Sequence, residues 1–264
     1  MTSRRTPIPV LLALALALAG CGGVAAARQT ASSTAKAPKP PPPVVGKTRS
    51  CKAGSFHRLG SARAGYAAVV QRPLRAYRRP GGSPFARFGL VNVNGVRTVL
   101  GVTGAVLGRS CRPTWYRVQL PMRPNGSTGY VHAFAVWVAR VRTRIEVDVS
   151  ERRLTFYRGG RRVFTTRTAV GSSATPTPVG RFYVNQKLIP SNPNGAYGPG
   201  AIGISAFSNV LTGWTQGGPV AIHGTDAPWS IGRAVSNGCI RLPNPVLRRL
   251  FQAAPTGTPV IVHP

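Results

Sequence analysis

The run VAIHGTDAPWSIGRAVSNGCIRLPNP, from Val220 to Pro245, contains two short apolar segments with strand character, PVAIHG and CIRL. His223 closes the first and Cys239 opens the second, sixteen residues later. If the two strands are neighbours, the intervening loop can bring thiol and imidazole into contact. A free thiol has a pKa of about 8.5, so only a few per cent is thiolate at neutral pH. A histidine beside it can take the proton and leave a thiolate–imidazolium pair. Gly238 removes the side chain next to the sulfur, so that a substrate can approach the backbone. The amides of Asn237, Gly238 and Cys239 become candidate donors to a developing oxyanion. Gly224 suggests a tight turn after His223, where a backbone carbonyl can hold the other ring nitrogen; Asp226 is the alternative orienting group. Arg241, two residues past Cys239, points the same way off a strand and suits a substrate carboxylate or the oxyanion. A disulfide or a metal site is the competing use of Cys239, and the rest of the chain has to choose.

Upstream, RIEVDVS alternates as a half-buried strand does, and RLTFYRGGRRVFTTRTAVG reads as a hairpin around Gly159-Gly160. The loop SSATPTPVG, a strand RFYVNQKL and the long loop IPSNPNGAYGPG follow. Further strands are expected at AIGIS and PVIVH. NPVLRRLFQAA is the one helix expected, with Asn244 as N-cap, Pro245 at the first helical position, and Val246, Leu247, Leu250 and Phe251 facing the core. From about Ala67 to Val138, the runs YAAVVQ, GLVNVNG, TVLGVTGAV, WYRVQLP and GYVHAFAVWV are separated by Gly/Pro/Asn turns. That spacing predicts a small all-β barrel. Its aromatic residues Trp115, Tyr116, Tyr130 and Trp137 are expected in the core rather than on a ligand platform.

The N-terminus is a targeting segment: two arginines, then an apolar run from Leu11 to Ala19, far short of the roughly 20 apolar residues of a membrane span. Leu18-Ala19-Gly20-Cys21 resembles the lipobox of bacterial lipoproteins, which makes residues 1–21 the signal peptide and Cys21 the lipidation site; an ordinary signal peptide is the alternative. Residues 22–46 form a small-residue and proline-rich linker. The mature protein is thus expected outside the cytoplasmic membrane, either lipid-anchored to its outer face or in the periplasm or cell wall. With Cys21 acylated, three cysteines remain: Cys51, Cys111 and Cys239. Pairing of Cys51 with Cys111 leaves Cys239 as the odd thiol, whereas pairing of Cys239 with either stays open at this level.

Thirty-five basic residues against four acidic ones (Glu146, Asp148, Glu151 and Asp226) give a net charge of +31. The arginines are spread along the chain rather than grouped, and export removes most nucleic-acid partners, so the charge points to anionic lipids and wall polymers. Four carboxylates and four scattered histidines argue against a two-carboxylate glycosidase and against a metal site.

IHGT and SIGRAVSNGCIRL, with the upstream TPTPVGRFY and YGPGAIGIS, closely resemble the catalytic domain of the L,D-transpeptidases, over about Arg142 to His263. WYRVQLPMRPNGSTGYVHAFAV is similar to the end of a bacterial SH3-like domain. The implied architecture is mainly β: a small SH3-like β-barrel over residues 50–139, followed by a transpeptidase-type β-sandwich over 142–264 with one short C-terminal helix. The resemblance makes Cys239 the nucleophile and His223 the base, assisted by the Gly224 carbonyl. It adds Ser236, Gly238 and Arg241 to the site and puts Tyr197, Gly198 and Trp229 along the groove. Many members carry a second histidine where this chain has Asn237. The implied reaction is attack on a peptidoglycan tetrapeptide stem, release of D-alanine through a thioester, and 3→3 cross-linking, with no metal or organic cofactor. The alternatives are an L,D-carboxypeptidase or a catalytically inactive wall-binding lipoprotein. Oligomeric state is not legible in the sequence.

Overall fold

The structure, a computed structural model, describes residues 51–264. The expected signal peptide, the lipidation site Cys21 and the linker lie outside the described residues.

The first half is one sheet. It contains β1 (Phe56–Arg58), β2 (Gly65–Val70), β3 (Leu74–Tyr77), β4 (Pro84–Phe88), β5 (Val99–Leu107), β6 (Pro113–Gln119), β7 (Thr128–His132) and β8 (Val136–Val141). The strand order is β4-β3-β7-β6-β5-β2-β8, with β1 added to β5. Alternate residues bury a core of Ala68, Val70, Ala76, Leu100, Val118 and Val131. Cys51 and Cys111 are joined by a disulfide that ties the start of this region to the β5–β6 turn. Two expected strands come out differently. GLVNVNG is a turn, because the Asn92 side chain accepts from the amides of Asn94 (2.9 Å) and Val96 (3.3 Å), which leaves Val93 82% exposed. GYVHAFAVWV is split by a short 3-10 turn at Ala133–Ala135 into β7 and β8. Of the aromatic residues expected in the core, Tyr116 is buried. Trp115 instead lies half-exposed against the His132 ring, with centroids 3.7 Å apart.

The second half contains β9 (Thr143–Asp148), β10 (Arg153–Arg158), β11 (Arg161–Arg167), β12 (Val170–Gly171), β13 (Gly180–Leu188), β14 (Ala201–Phe207), β15 (Pro219–His223), β16 (Ala234–Ser236), β17 (Ile240–Arg241) and β18 (Pro259–His263). Its one α-helix, α1, spans Asn244–Ala253. The order is β11-β10-β9-β18-β13-β14-β15-β17, with β12 and β16 as a separate parallel pair. Strand β13 belongs to both leaves of this sandwich. Gly180–Tyr183 pair with β18, and Val184–Leu188 pair with β14, with a register shift between Val184 and Gln186. Between the leaves lie Ile145, Val147, Leu154 and Phe156 from one side and Ile202, Ile204, Ile222 and Ile240 from the other, closed by Leu247 and Leu250 of α1. The expected hairpin forms around Gly159 (φ 60°) and Gly160 (φ 86°), the paired positive φ values that a two-residue hairpin turn needs.

Polar side chains of the first sheet grip backbone of the second. Asn125 holds Phe207 at both its carbonyl (2.7 Å) and its amide (2.8 Å). Gln119 donates to the Arg181 carbonyl at 2.8 Å.

Candidate active site

Strands β15 and β17 are parallel neighbours, with Ile222 opposite Ile240 and His223 opposite Arg241. Ile222, Ile240 and Leu242 are fully buried in the core. Because side chains alternate along a strand, Ala221, His223 and Arg241 share the other face, and Cys239 joins them one step before β17. This register delivers the imidazole and the thiol to the same side of adjacent strands. Cys239 is the free cysteine among the described residues and is half-buried, whereas His223 is only 4% exposed.

The Nδ1 atom of His223 lies 2.5 Å from the Gly224 carbonyl oxygen. A carbonyl only accepts, so Nδ1 carries the proton and Nε2 keeps its lone pair. Asp226, the alternative orienting group, is exposed on the loop and acts on the ring only as a distant charge. Burial pushes the His223 pKa down to about 4, helped by the Arg241 charge and opposed by the Gly224 bond and Asp226. Burial likewise raises the Cys239 pKa, against a backbone hydrogen bond with Ala221 and the Arg241 charge. Both shifts favour uncharged forms. Burial thus works against the preformed ion pair that the sequence allowed.

The turn that presents the sulfur is tied from behind. Ser236, expected to face substrate, is 1% exposed; its hydroxyl accepts from the Gly238 amide (3.2 Å) and donates to the Cys239 carbonyl (2.5 Å). The Gly238 amide is thus committed inside the turn, leaving those of Asn237 and Cys239 as the candidate oxyanion donors. Gly238 sits at φ 102°, which favours glycine, and a side chain there would point at the Pro176 carbonyl oxygen, 3.4 Å from its Cβ. Its backbone, rather than substrate clearance, accounts for the glycine. The Ser236 carbonyl accepts from the Ser172 amide (2.9 Å) and the Thr175 hydroxyl (3.0 Å), so the TPTP loop braces the Cys239 turn. Beyond β17, Ala169 and Arg241 exchange both backbone hydrogen bonds at 3.0 Å, and the Thr168 hydroxyl adds a third to the Arg241 carbonyl. Thr168, Ala169 and Thr175 were not singled out from the sequence; the threonine–proline pattern of SSATPTPVG was the only signal for Thr175, and Thr168 and Ala169 had none.

Around the pair, the Tyr197 ring lies 4.9 Å from the imidazole and remains 47% exposed. Its phenol pKa is raised by burial and by the nearby Cys239 charge. Trp229 stands out at the rim, with the Arg233 guanidinium over its ring. Gly198 is not a groove surface: it is buried against Gly224 and Thr225. Asn237 is exposed on the turn. Arg241 is half-buried, and its Nε has no hydrogen-bond partner within the protein. Among the described residues, no three His, Cys, Asp or Glu side chains cluster as metal ligands.

A thiol and a carbonyl-oriented imidazole on one face of a β-sandwich are the pair of groups that cysteine acyl transfer employs. Residues 142–262 match the family model of the L,D-transpeptidase catalytic domain, YkuD. Over 122 residues the chain is 39% identical to a Bacillus licheniformis protein designated L,D-transpeptidase YkuD, a match covering 46% of this chain and 66% of that protein. Its counterpart in Bacillus subtilis strain 168 is 37% identical over 120 residues, 45% of this chain and 65% of that protein. The chain thus spans just under two thirds of the length of these relatives. The NMR structure of the catalytic domain from an E. faecium L,D-transpeptidase is 28% identical, covering 46% of this chain and 96% of that one, with a TM-score of 0.34.

Proposed function

We propose that the protein is a cysteine-dependent L,D-transpeptidase acting on peptidoglycan stem peptides. The observation that carries this reading is the placement of Cys239 and His223 on one face of β15 and β17, with Nδ1 held by Gly224. As a donor stem binds, Nε2 of His223 takes the thiol proton while sulfur attacks the carbonyl carbon of the third stem residue. The amides of Asn237 and Cys239 receive the oxyanion. When the tetrahedral adduct collapses, the C–N bond to the terminal D-alanine breaks, and the imidazolium returns its proton to the departing amine. A thioester on Cys239 remains. An amine of a second stem attacks it, gives up a proton to His223, and leaves as a 3→3 amide while the thiol is restored. Burial that disfavours the charged forms suits this cycle, because charge appears only as the bond to sulfur forms. The guanidinium of Arg241, which shares the face of His223, is assigned to a stem carboxylate. Trp229 and Tyr197 wall the groove.

The same reading makes Cys21 a lipid anchor at the outer face of the cytoplasmic membrane, with residues 22–46 as spacer. It makes the first sheet an SH3-like module and the basic surface a source of attraction to anionic wall polymers. The sequence features at the N-terminus and the charge of +31 support these assignments.

The test is intact-mass analysis of purified protein incubated with a disaccharide-tetrapeptide, alongside Cys239→Ala. A thioester adduct and cross-linked dimers are expected, both absent from the variant. D-Alanine release without dimers would move the reading to a carboxypeptidase. Wall binding with no adduct would move it to an inactive wall-binding protein.

A further inference from the structure

Asn244 opens α1, but it does not cap it. The N-cap is Pro243, and the Asn244 side chain turns away from the helix toward the loop after His223. Its Oδ1 accepts from the Thr225 amide at 2.8 Å, and its Nδ2 donates to the Thr225 carbonyl at 3.0 Å. A carboxamide carries the same donor and acceptor as a peptide group, so Asn244 holds Thr225 much as a neighbouring strand would.

The Thr225 N–H and the Gly224 C=O belong to one peptide unit, and that unit is planar. At one end of the plane, the Gly224 oxygen accepts from Nδ1 of His223; at the other, the Thr225 N–H donates to Asn244. Rotation of the plane away from Asn244 would swing the carbonyl off the imidazole. Accepting from the N–H also polarises the carbonyl, making it a better acceptor for Nδ1–H.

The glycine of the His-Gly pair has the same origin. Gly224 does not lie in the left-handed region, so its backbone alone does not demand glycine. A Cβ at this position would lie 2.3 Å from Asn244 Oδ1 and 2.7 Å from Pro199 Cδ. A Cβ at Gly198 would likewise lie 2.5 Å from Asn244 Oδ1. Two glycines thus make room for one carboxamide oxygen, and the second leads directly from Tyr197, whose ring covers the imidazole.

We infer that Asn244 is a positioning residue for the base: through the Gly224–Thr225 peptide it fixes the Nδ1–H tautomer and the orientation of His223. This rests on the proposed roles of His223 and Cys239. The test uses Asn244→Ala and Asn244→Asp in the full chain. Aspartate fills the same space, but at pH 7 it sets a carboxylate oxygen against the Thr225 carbonyl. Three quantities are measured: the His223 tautomer by 15N NMR, the alkylation rate of Cys239 by iodoacetamide, and thermal unfolding. Both variants are expected to lose the single Nδ1–H tautomer and to alkylate about 10–100-fold more slowly while still folded. An aspartate variant with the wild-type tautomer and rate would reduce Asn244 to a space-filler and overturn the inference. If the alanine variant does not fold, the aspartate variant and the wild-type exchange rate of the Thr225 amide decide. Fast exchange there would also overturn it. A wild-type thiol no more reactive than in the unfolded chain would sink the functional reading instead, leaving the tautomer to decide the role of Asn244.

Discussion

The two sheets solve the same problem, keeping short β-strands in register, with different materials. The first relies on small apolar side chains and a covalent tie between Cys51 and Cys111. Of its buried residues only Thr98 is polar or charged, whereas Thr143, Thr168, Thr177, Gln186, Ser205, Ser208, His223, Thr225, Ser230, Ser236 and Thr258 are buried in the second. Many of these groups fasten loops rather than fill space. Ser236 ties the Cys239 turn, Thr168 ties the end of β17, and Thr258 bonds Thr143 at 2.7 Å. A buried hydrogen bond adds only about 1 kcal/mol net, but it is directional and costly to break on one side. Polar burial is therefore concentrated where turns must present chemical groups at fixed angles.

The largest effect that would sharpen this contrast is loss of chemistry without loss of fold. Cys239→Ala is expected to lower acyl transfer by about four orders of magnitude or more, with thermal unfolding nearly unchanged, as mass analysis and calorimetry would show. An unfolded variant would mean that the thiol is a packing group. The disulfide should give the mirror image. Its sequence separation of 60 residues corresponds to about 4 kcal/mol in the chain-entropy description. Cys51→Ala/Cys111→Ala should lose stability of that order in urea titrations and keep its turnover per folded molecule. If turnover fell as well, the first sheet would be part of the catalytic apparatus. Ser236→Ala should do both things at once, at smaller scale. Removing the hydroxyl leaves the Gly238 amide and the Cys239 carbonyl without that partner, at a cost of about 1–3 kcal/mol, and it loosens the sulfur. Equal stability and activity to wild type would show that the turn holds itself.

The remaining expected effect is that of pH. Histidine titrates near 6.5 in the unfolded chain, but His223 is held down to about 4 in the fold. Between those values the unfolded state binds a proton that the folded state does not. Stability contributed by the neutral ring is complete above about 6.5 and is lost as pH falls toward 4, at no more than about 1.4 kcal/mol per pH unit. Urea midpoints for wild type and His223→Gln should diverge in that window, and parallel curves would refute the shift. The acid limb of turnover should lie near pH 4 rather than 6.5.

The sequence was most informative where neighbours along the chain settle the outcome. PVAIHG and CIRL, the Gly159-Gly160 hairpin and the apolar face of α1 are local patterns, and each lies where its periodicity says. The juxtaposition of thiol and imidazole was legible too, because Cys239, His223 and Gly224 fall within seventeen consecutive positions. What stayed hidden depends on distant partners. The alternation of GLVNVNG yields to Asn92, whose side chain also donates to Gln186 at 2.7 Å. Asn244 looks like an ordinary helix cap until Thr225, nineteen residues earlier, is brought alongside. The shifts of the thiol and imidazole away from their charged forms come from burial, which no local pattern reports.

The exchange of backbone bonds between Ala169 and Arg241 has a consequence for how a substrate can arrive. Strand β17 ends its sheet, and an open outer edge there would invite an extended peptide to dock as one more strand. Ala169 and Thr168 already occupy that edge at Arg241. Under the proposed function, a stem peptide would therefore descend onto the face where Cys239 and His223 stand, crossing β15 and β17 rather than lengthening the sheet. Recognition would then fall to side chains rather than to a strand ladder.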